Sequence, residues 1–147
     1  MFFLKPRRLS QQTPGITSGE EERKNSFKNQ KRKLFGEFLL SGKEIFFQKN
    51  DPAVSIIIIL HNQAEFSYAC LSSLLEFADV PFELIIVDNN STDLTGKLLE
   101  RIHGAKIVRN EENFYFLGAC NQASQFVRGE YILFLNKNYL SFHLKQK

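Results

Sequence analysis

Residues 83–93 read ELIIVDNNSTD. Leu84, Ile85, Ile86 and Val87 run without interruption and stop at Asp88, after which Asn89, Asn90, Ser91, Thr92 and Asp93 follow. An apolar run this short, bounded by turn formers, fits a strand covered on both faces. Its end puts a carboxylate at the carboxyl edge of the strand, where open α/β sheets bind their ligands. Ser91 or Thr92 is placed to cap a helix running through Leu94, Leu98, Leu99 and Ile102 over residues 92–103. Taken by itself, Asp88 has a plainer use as the residue that holds this turn.

Outward from this stretch the chain repeats the same alternation. Upstream, residues 54–60 (VSIIIIL) are rich in β-branched side chains, read as a central parallel strand, and end at His61-Asn62. A helix is expected over 64–78, broken by Val80-Pro81. Downstream, residues 106–109 form a short strand, and 110–117 a loop holding Asn113 and three aromatic residues. A helix is expected from Gly118 to Arg128, with Gly129 as a left-handed stop. Residues 131–135 (YILFL) make a fourth strand, ending at Asn136-Lys137-Asn138. Strand and helix in alternation predict a mostly parallel sheet flanked by helices. Neither GxGxxG nor GxxxxGK[ST] occurs, so the phosphate cradles of dinucleotide and P-loop proteins are missing.

At 147 residues the chain holds one ordinary domain. Its net charge of +3 is unevenly spread: residues 1–50 carry eleven Lys/Arg against five Asp/Glu, and 51–147 carry eight against eleven. Residues 1–33 are polar and basic and are expected to form a disordered arm. Residues 34–50 carry a partial helical stripe weakened by Gly36 and Gly42. Headed by Lys31-Arg32-Lys33, they read either as a membrane-surface helix or as a packed helix or linker. Asp51-Pro52 marks the boundary of the domain over 51–147. Nucleic-acid binding by the arm would rest on charge alone. Cys70 and Cys120, with no CxxC and no nearby His pair, read as buried free thiols rather than zinc ligands. The opening apolar run of Met1 to Leu4 is too short for a signal peptide, and no stretch reaches the roughly 18 apolar residues of a membrane span. A cytoplasmic, at most membrane-peripheral, protein is expected.

Four stretches in order resemble the motifs of family 2 glycosyltransferases: VSIIIILHN (54–62) the opening strand VSIIIPxYN, DNNSTDLT (88–95) the signature DNxSxDxT, NFYFLGACN (113–121) the stretch NxGFxxAxN, and RGEYILFLNKN (128–138) the stretch RGEYILFLNxD. The resemblance implies a Rossmann-like fold of the GT-A type and transfer of a sugar from a nucleoside diphosphate sugar to an acceptor hydroxyl. It assigns nucleotide contacts to His61, Asn62, Asp88, Asn90, Gly118 and Asn121. It puts Asn136 and Asn138 at the DxD-like position that holds Mg²⁺ or Mn²⁺ on the diphosphate, where a hard cation offsets the charge of the leaving group.

Departures from the motifs qualify the expected activity. Ile59 stands where the family has Pro, and Asn138 where it has the metal-binding carboxylate. A neutral amide is a poorer ligand for a hard cation. The sheet is expected to be truncated after its fourth strand, and residues 139–147 contain no Asp or Glu to act as the base of an inverting transfer. No catalytic residue is assigned. The alternative is a non-catalytic nucleotide-binding or interaction module, with self-association or a partner chain covering the last strand.

Overall fold

A computed structural model of the chain describes residues 17–48 and 51–138. In chain order the elements are α1 (Ser18–Ser41), β1 (Ile45–Phe46), β2 (Val54–Leu60), α2 (Ala64–Phe77), β3 (Phe82–Asp88), α3 (Thr95–Leu99), β4 (Ile102–His103), β5 (Lys106–Arg109), α4 (Tyr115–Ser124) and β6 (Tyr131–Leu135). Four strands form one sheet in the order β5-β3-β2-β6, every pair parallel. This is the expected Rossmann-like, helix-flanked parallel sheet. Among the described residues no helix is long and apolar enough to cross a membrane.

The two central strands are buried on both faces, which is why they read as unbroken apolar runs. Ile56, Ile58, Leu60, Leu84 and Ile86 pack with Leu71, Leu74, Leu98 and Leu99 from α2 and α3. On the opposite face Ile57, Ile85 and Val87 meet only Ala119 and Ala123 of α4 among buried residues. Each fully buried Ile or Leu contributes about 2 kcal/mol by apolar transfer.

The expected disordered arm needs correction over 18–33, all of which lies in α1; residues 1–16 fall outside the described residues. Thr17 opens the helix, its N–H donating to Glu20 Oε2 at 3.3 Å. Phe35 and Phe38 then dock on α2 through Tyr68, with ring centroids 5.7 and 4.6 Å away. Phe35, Phe38, Ile45 and Phe47 of the apolar stripe at 34–47 thus pack on the domain, while Leu34 and Phe46 stay exposed. Lys31 is buried with its ammonium over the rings of Phe27 and Phe66. Gly42, read as a weakness, is the left-handed residue that ends the helix (φ 68°), and Arg101 Nη1 donates to the freed Phe38 carbonyl at 3.1 Å.

The helix expected over 92–103 shortens to Thr95–Leu99. Ile102 and His103 instead pair with Ile45 and Phe46 in a two-residue parallel ladder that local periodicity does not reveal. Neither Ser91 nor Thr92 caps α3. The Asp93 carboxylate does, accepting from Thr95 N and Thr95 Oγ1 at 2.9 and 2.6 Å, while its other oxygen accepts from Ala64 N at the start of α2 at 3.0 Å. One carboxylate therefore serves two helix starts. Partial burial pushes the Asp93 carboxyl up, but the Thr95 and Ala64 hydrogen bonds and the Lys137 charge outweigh this and hold it below the ordinary range.

The last helix begins at Tyr115 rather than Gly118 and ends at Ser124 rather than Arg128. Gly129 is not a left-handed stop, since Gly42 and Gly104 are the positive-φ glycines among the described residues. It is small because β2 passes beneath it: a Cβ there would lie 2.7 Å from Ser55 N and Val54 C. Its N–H donates to Ser55 Oγ at 2.9 Å, Ser55 Oγ donates to Glu83 Oε1 at 2.6 Å, and Arg128 Nε pairs with Glu83 Oε2 at 2.7 Å. This network pins the start of β6 to β2 and β3.

Two stability outcomes follow from these contacts. Asp93→Ala, which strips acceptors from two helix starts, is expected to lower stability by about 1–2 kcal/mol, a fall in Tm of roughly 5 °C in thermal denaturation. Because the folded carboxyl is depressed, its contribution is present above the unfolded pKa and disappears as pH falls through the folded one, so wild type and variant should converge in acid. A Tm gap unchanged down to acid pH would contradict this. Gly129→Ala should destabilise through its backbone clash, whereas Gly36→Ala, with nothing within 4 Å of the added carbon, should stabilise α1 by up to about 1 kcal/mol.

Candidate functional site

The order β5-β3-β2-β6 reverses direction between β2 and β6: the chain moves outward through β3 and β5 on one side, then crosses to the other. Crevices at such reversals, beyond the carboxyl ends of the strands, are where doubly wound sheets take ligands. A cleft of about 330 Å³ lies there. Ile59 and His61 line it from the end of β2, Leu135, Asn136, Lys137 and Asn138 from the end of β6, and Asn89, Asn113, Tyr115 and Phe116 from the loops after β3 and β5; Gln63 completes it.

Asn89 ties these loops together and is 2% exposed. Its Nδ2 donates to Asn113 Oδ1 at 2.7 Å and to the Tyr115 carbonyl at 3.2 Å, and its Oδ1 accepts from Phe114 N at 3.0 Å. Its carbonyl lies 2.9 Å from His61 Nδ1, so that nitrogen carries the proton. Asn110 and Gln122 exchange two side-chain hydrogen bonds of 2.9 Å alongside. Sequence reasoning passed over Asn89 as a turn former; its signal was its place as the fixed Asn of the stretch that resembles DNxSxDxT, directly after the strand-ending Asp88.

The residues singled out from sequence separate into three groups. His61, Asn136 and Asn138 line the cleft. Asn62 and Asp88 brace its floor: Asp88 Oδ1 accepts from Ser91 N at 3.0 Å, and Asn62 Oδ1 accepts from Thr92 N at 2.8 Å. Asp88 is thus buried in the turn role that its sequence context also allowed. Asn90, Gly118 and Asn121 are exposed and do not line the cleft.

All four non-glycine residues with positive φ among the described residues surround this edge: Asn62 and Gln63 after β2, Asn90 after β3, and Tyr115 at the start of α4. Asn tolerates this region; Gln and Tyr do so at a cost of roughly 1–3 kcal/mol each. Such strain persists where the surroundings impose it, and it gathers at binding sites.

Lys137 is the second residue that sequence reasoning passed over. It is 7% exposed, and its Nζ donates to the carbonyls of His61 and Asn62 at 3.0 and 2.5 Å. Burial lowers its pKa, while Asp93, Glu65, Cys70 and Asp88 act to raise it. Burial likewise pushes the neighbouring Cys70 thiol up to about 12, against the charges of Lys137 and Lys31. Both cysteines are free and buried.

These residues do not fit a divalent cation. Asn136 Oδ1 already accepts from Asn138 N at 3.0 Å, no carboxylate lines the cleft among the described residues, and the residue between the two amides is a buried ammonium. Among the described residues no group of three His, Cys, Asp or Glu could hold a metal ion. A hard cation selects anionic oxygen.

Comparison with known proteins agrees with the fold. The chain is 34% identical over 87 residues to the Escherichia coli UDP-Glc:alpha-D-GlcNAc-diphosphoundecaprenol beta-1,3-glucosyltransferase WfaP, covering 58% of this chain and 35% of that one. It is 34% identical over 94 residues to the putative teichuronic acid biosynthesis glycosyltransferase TuaG of Bacillus subtilis, covering 59% and 36%. The chain thus spans about a third of the length of these relatives. Among solved structures, S. aureus TarS superposes with a TM-score of 0.51 at 29% identity over 58% of this chain and 16% of that one. The Pyrobaculum calidifontis mannosyltransferase PcManGT, solved with GDP-Man and Mn²⁺, superposes with a TM-score of 0.53 at 19% identity over 78% and 37%, a likeness of fold. The glycosyl transferase family 2 model matches residues 55–137, from β2 to the end of the cleft. With more than half of its length so matched, the chain belongs to glycosyl transferase family 2.

Proposed function

We propose that the cleft between β2 and β6 receives the nucleoside diphosphate of a sugar donor, and that this chain supplies the donor-binding part of a glycosyltransferase. The observation that carries this reading is the cleft itself, at the reversal of strand order and lined by the strained Gln63 and Tyr115, within the region that matches the family. Relatives whose names give a UDP-linked sugar and a neighbour holding GDP-Man support a nucleotide-sugar ligand. His61 and the amides of Asn136 and Asn138 would contact it directly; Asn62 and Asp88 would act by holding the floor, with Asn90, Gly118 and Asn121 further out. Among the described residues no carboxylate lines the cleft to take a proton from an acceptor hydroxyl, and the residues present are read as binding the donor.

The donor set predicts weak dependence on metal. UDP or GDP titrated calorimetrically should bind the wild type about equally with Mn²⁺ and with chelator. Asn138→Asp, which restores a carboxylate, should introduce tighter binding with Mn²⁺ without conferring transfer. Strong metal dependence in the wild type would remove Asn138 as the deficient ligand.

We also propose that β6 is covered by a further strand in the working protein. Among the described residues it pairs only with β2, and Tyr131, Ile132, Leu133 and Phe134 are between 46% and 63% exposed. Edges of this kind invite pairing with another polypeptide. The chain should therefore self-associate in sedimentation experiments, and Ile132→Lys with Phe134→Lys should reduce the association. A monomer at high concentration would overturn this.

A further inference from the structure

We infer that Tyr115 is the stacking platform for the nucleobase in this cleft, an inference that rests on the nucleotide reading above. Three independent features converge on it. First, its backbone is left-handed, with φ 57°, a conformation a tyrosine does not choose for itself. Gly stands at this place in the motif that NFYFLGACN resembles, so an unstrained residue was available. Second, the conformation is imposed from both sides. Tyr115 N donates to Asn113 Oδ1 at 2.8 Å, and the Tyr115 carbonyl accepts from the buried Asn89 Nδ2 at 3.2 Å. Asn89 also bonds Asn113, so one buried amide fixes the residue before and after the bend. Third, the ring that this strain delivers is not packed. Tyr115 is 79% exposed and lines the cleft, as do Phe116, at 58%, and His61.

Core packing therefore does not account for Tyr115, and the backbone would be easier without it. A large, flat, apolar face on a fixed backbone at the mouth of a cleft is suited to another flat face. Stacking between a base and an aromatic ring is tolerant of which base is present. The ring should accordingly add affinity for any nucleotide and give little preference between uracil and guanine. The diphosphate, which has no such face, should be indifferent to it.

The test compares wild type, Tyr115→Gly and Tyr115→Phe in the whole chain, with UDP, GDP and inorganic pyrophosphate as probes in titration calorimetry, and Tm by thermal denaturation. Tyr115→Gly relieves the strain and removes little packing, so its Tm should equal or exceed that of the wild type by a few degrees. Its affinity for UDP and GDP should fall about tenfold, within the range of a lost base stack. Pyrophosphate binding should not change, and Tyr115→Phe should keep the wild-type affinities. A variant that is less stable and also binds less tightly would give Tyr115 a structural role and overturn the inference. So would a Tyr115→Gly protein that binds UDP and GDP as the wild type does, which would leave the nucleotide reading standing. A wild type that binds neither nucleotide overturns both.

Discussion

The in-register pairing of β2 with β3 governs where everything else in this molecule can act. Val54 lies opposite Phe82 and Leu60 opposite Asp88, so the two strands end at the same level. A slip of one residue would turn Ile56, Ile58 and Leu60 from one core to the other, so the register is fixed by burial on both faces. With the register fixed, the polar residues after each strand share one edge. His61 then meets the Asn89 carbonyl, Asn62 meets Thr92, and Asp93 reaches the first amide of α2. Hydrogen bonds thus join two turns beside the cleft, about thirty residues apart in the chain, and they exist because the strands stop together.

The same edge holds an unusual charge balance. Asp88, Asp93 and Glu65 stand near the buried ammonium of Lys137, which comes from the far side of the strand-order reversal, and Glu65 also pairs with Arg32 at 3.4 Å. Leaving these carboxylates uncompensated would be costly, and the desolvated lysine supplies the compensation while bonding two backbone carbonyls. Lys137 therefore ties the end of β6 to the β2–α2 turn. It also sets the sign of the charge beneath the cleft. The edge so presents amides above a buried ammonium, with the nearest carboxylates already engaged.

The strands and α2 were legible in the sequence because burial on two faces and short polar breaks are local signals. So was the position of the cleft, since alternating strands and helices bring their carboxyl ends to one side. What escaped reading depended on distant partners. Residues 18–33 look too polar to fold, yet Glu, Lys, Arg and Gln are strong helix formers, and the anchors that order them, Phe35 and Phe38, lie at the far end of the same helix. The ladder of Ile45–Phe46 with Ile102–His103 joins segments 57 residues apart and overrides the helical pattern that ends in Ile102. Gly104, with φ 82° and Phe47 O in the place of any Cβ, belongs to this contact and had no local meaning. Asn89 and Lys137 are ordinary turn residues until the fold gives each its partners.

The asymmetry of the two sheet faces explains why the loop at 110–117 belongs to the cleft rather than to the core. One face is covered by three helices bearing Phe, Leu and Tyr; the other is covered by α4, whose buried residues are Ala119, Cys120 and Ala123. Small side chains let a helix lie close to the sheet it covers. They also leave no depth in which to bury Phe114, Tyr115, Phe116 and Leu117, which are all exposed at the first turn of that helix. Hydrophobic collapse alone would have drawn such a run inward or selected against it. Instead a network of amides from Asn89, Asn110, Asn113 and Gln122 fixes the loop from beneath. Polar groups thus do the anchoring and apolar groups face solvent, the inverse of a folding core. Contiguous exposed apolar side chains of this kind are the usual mark of a binding surface.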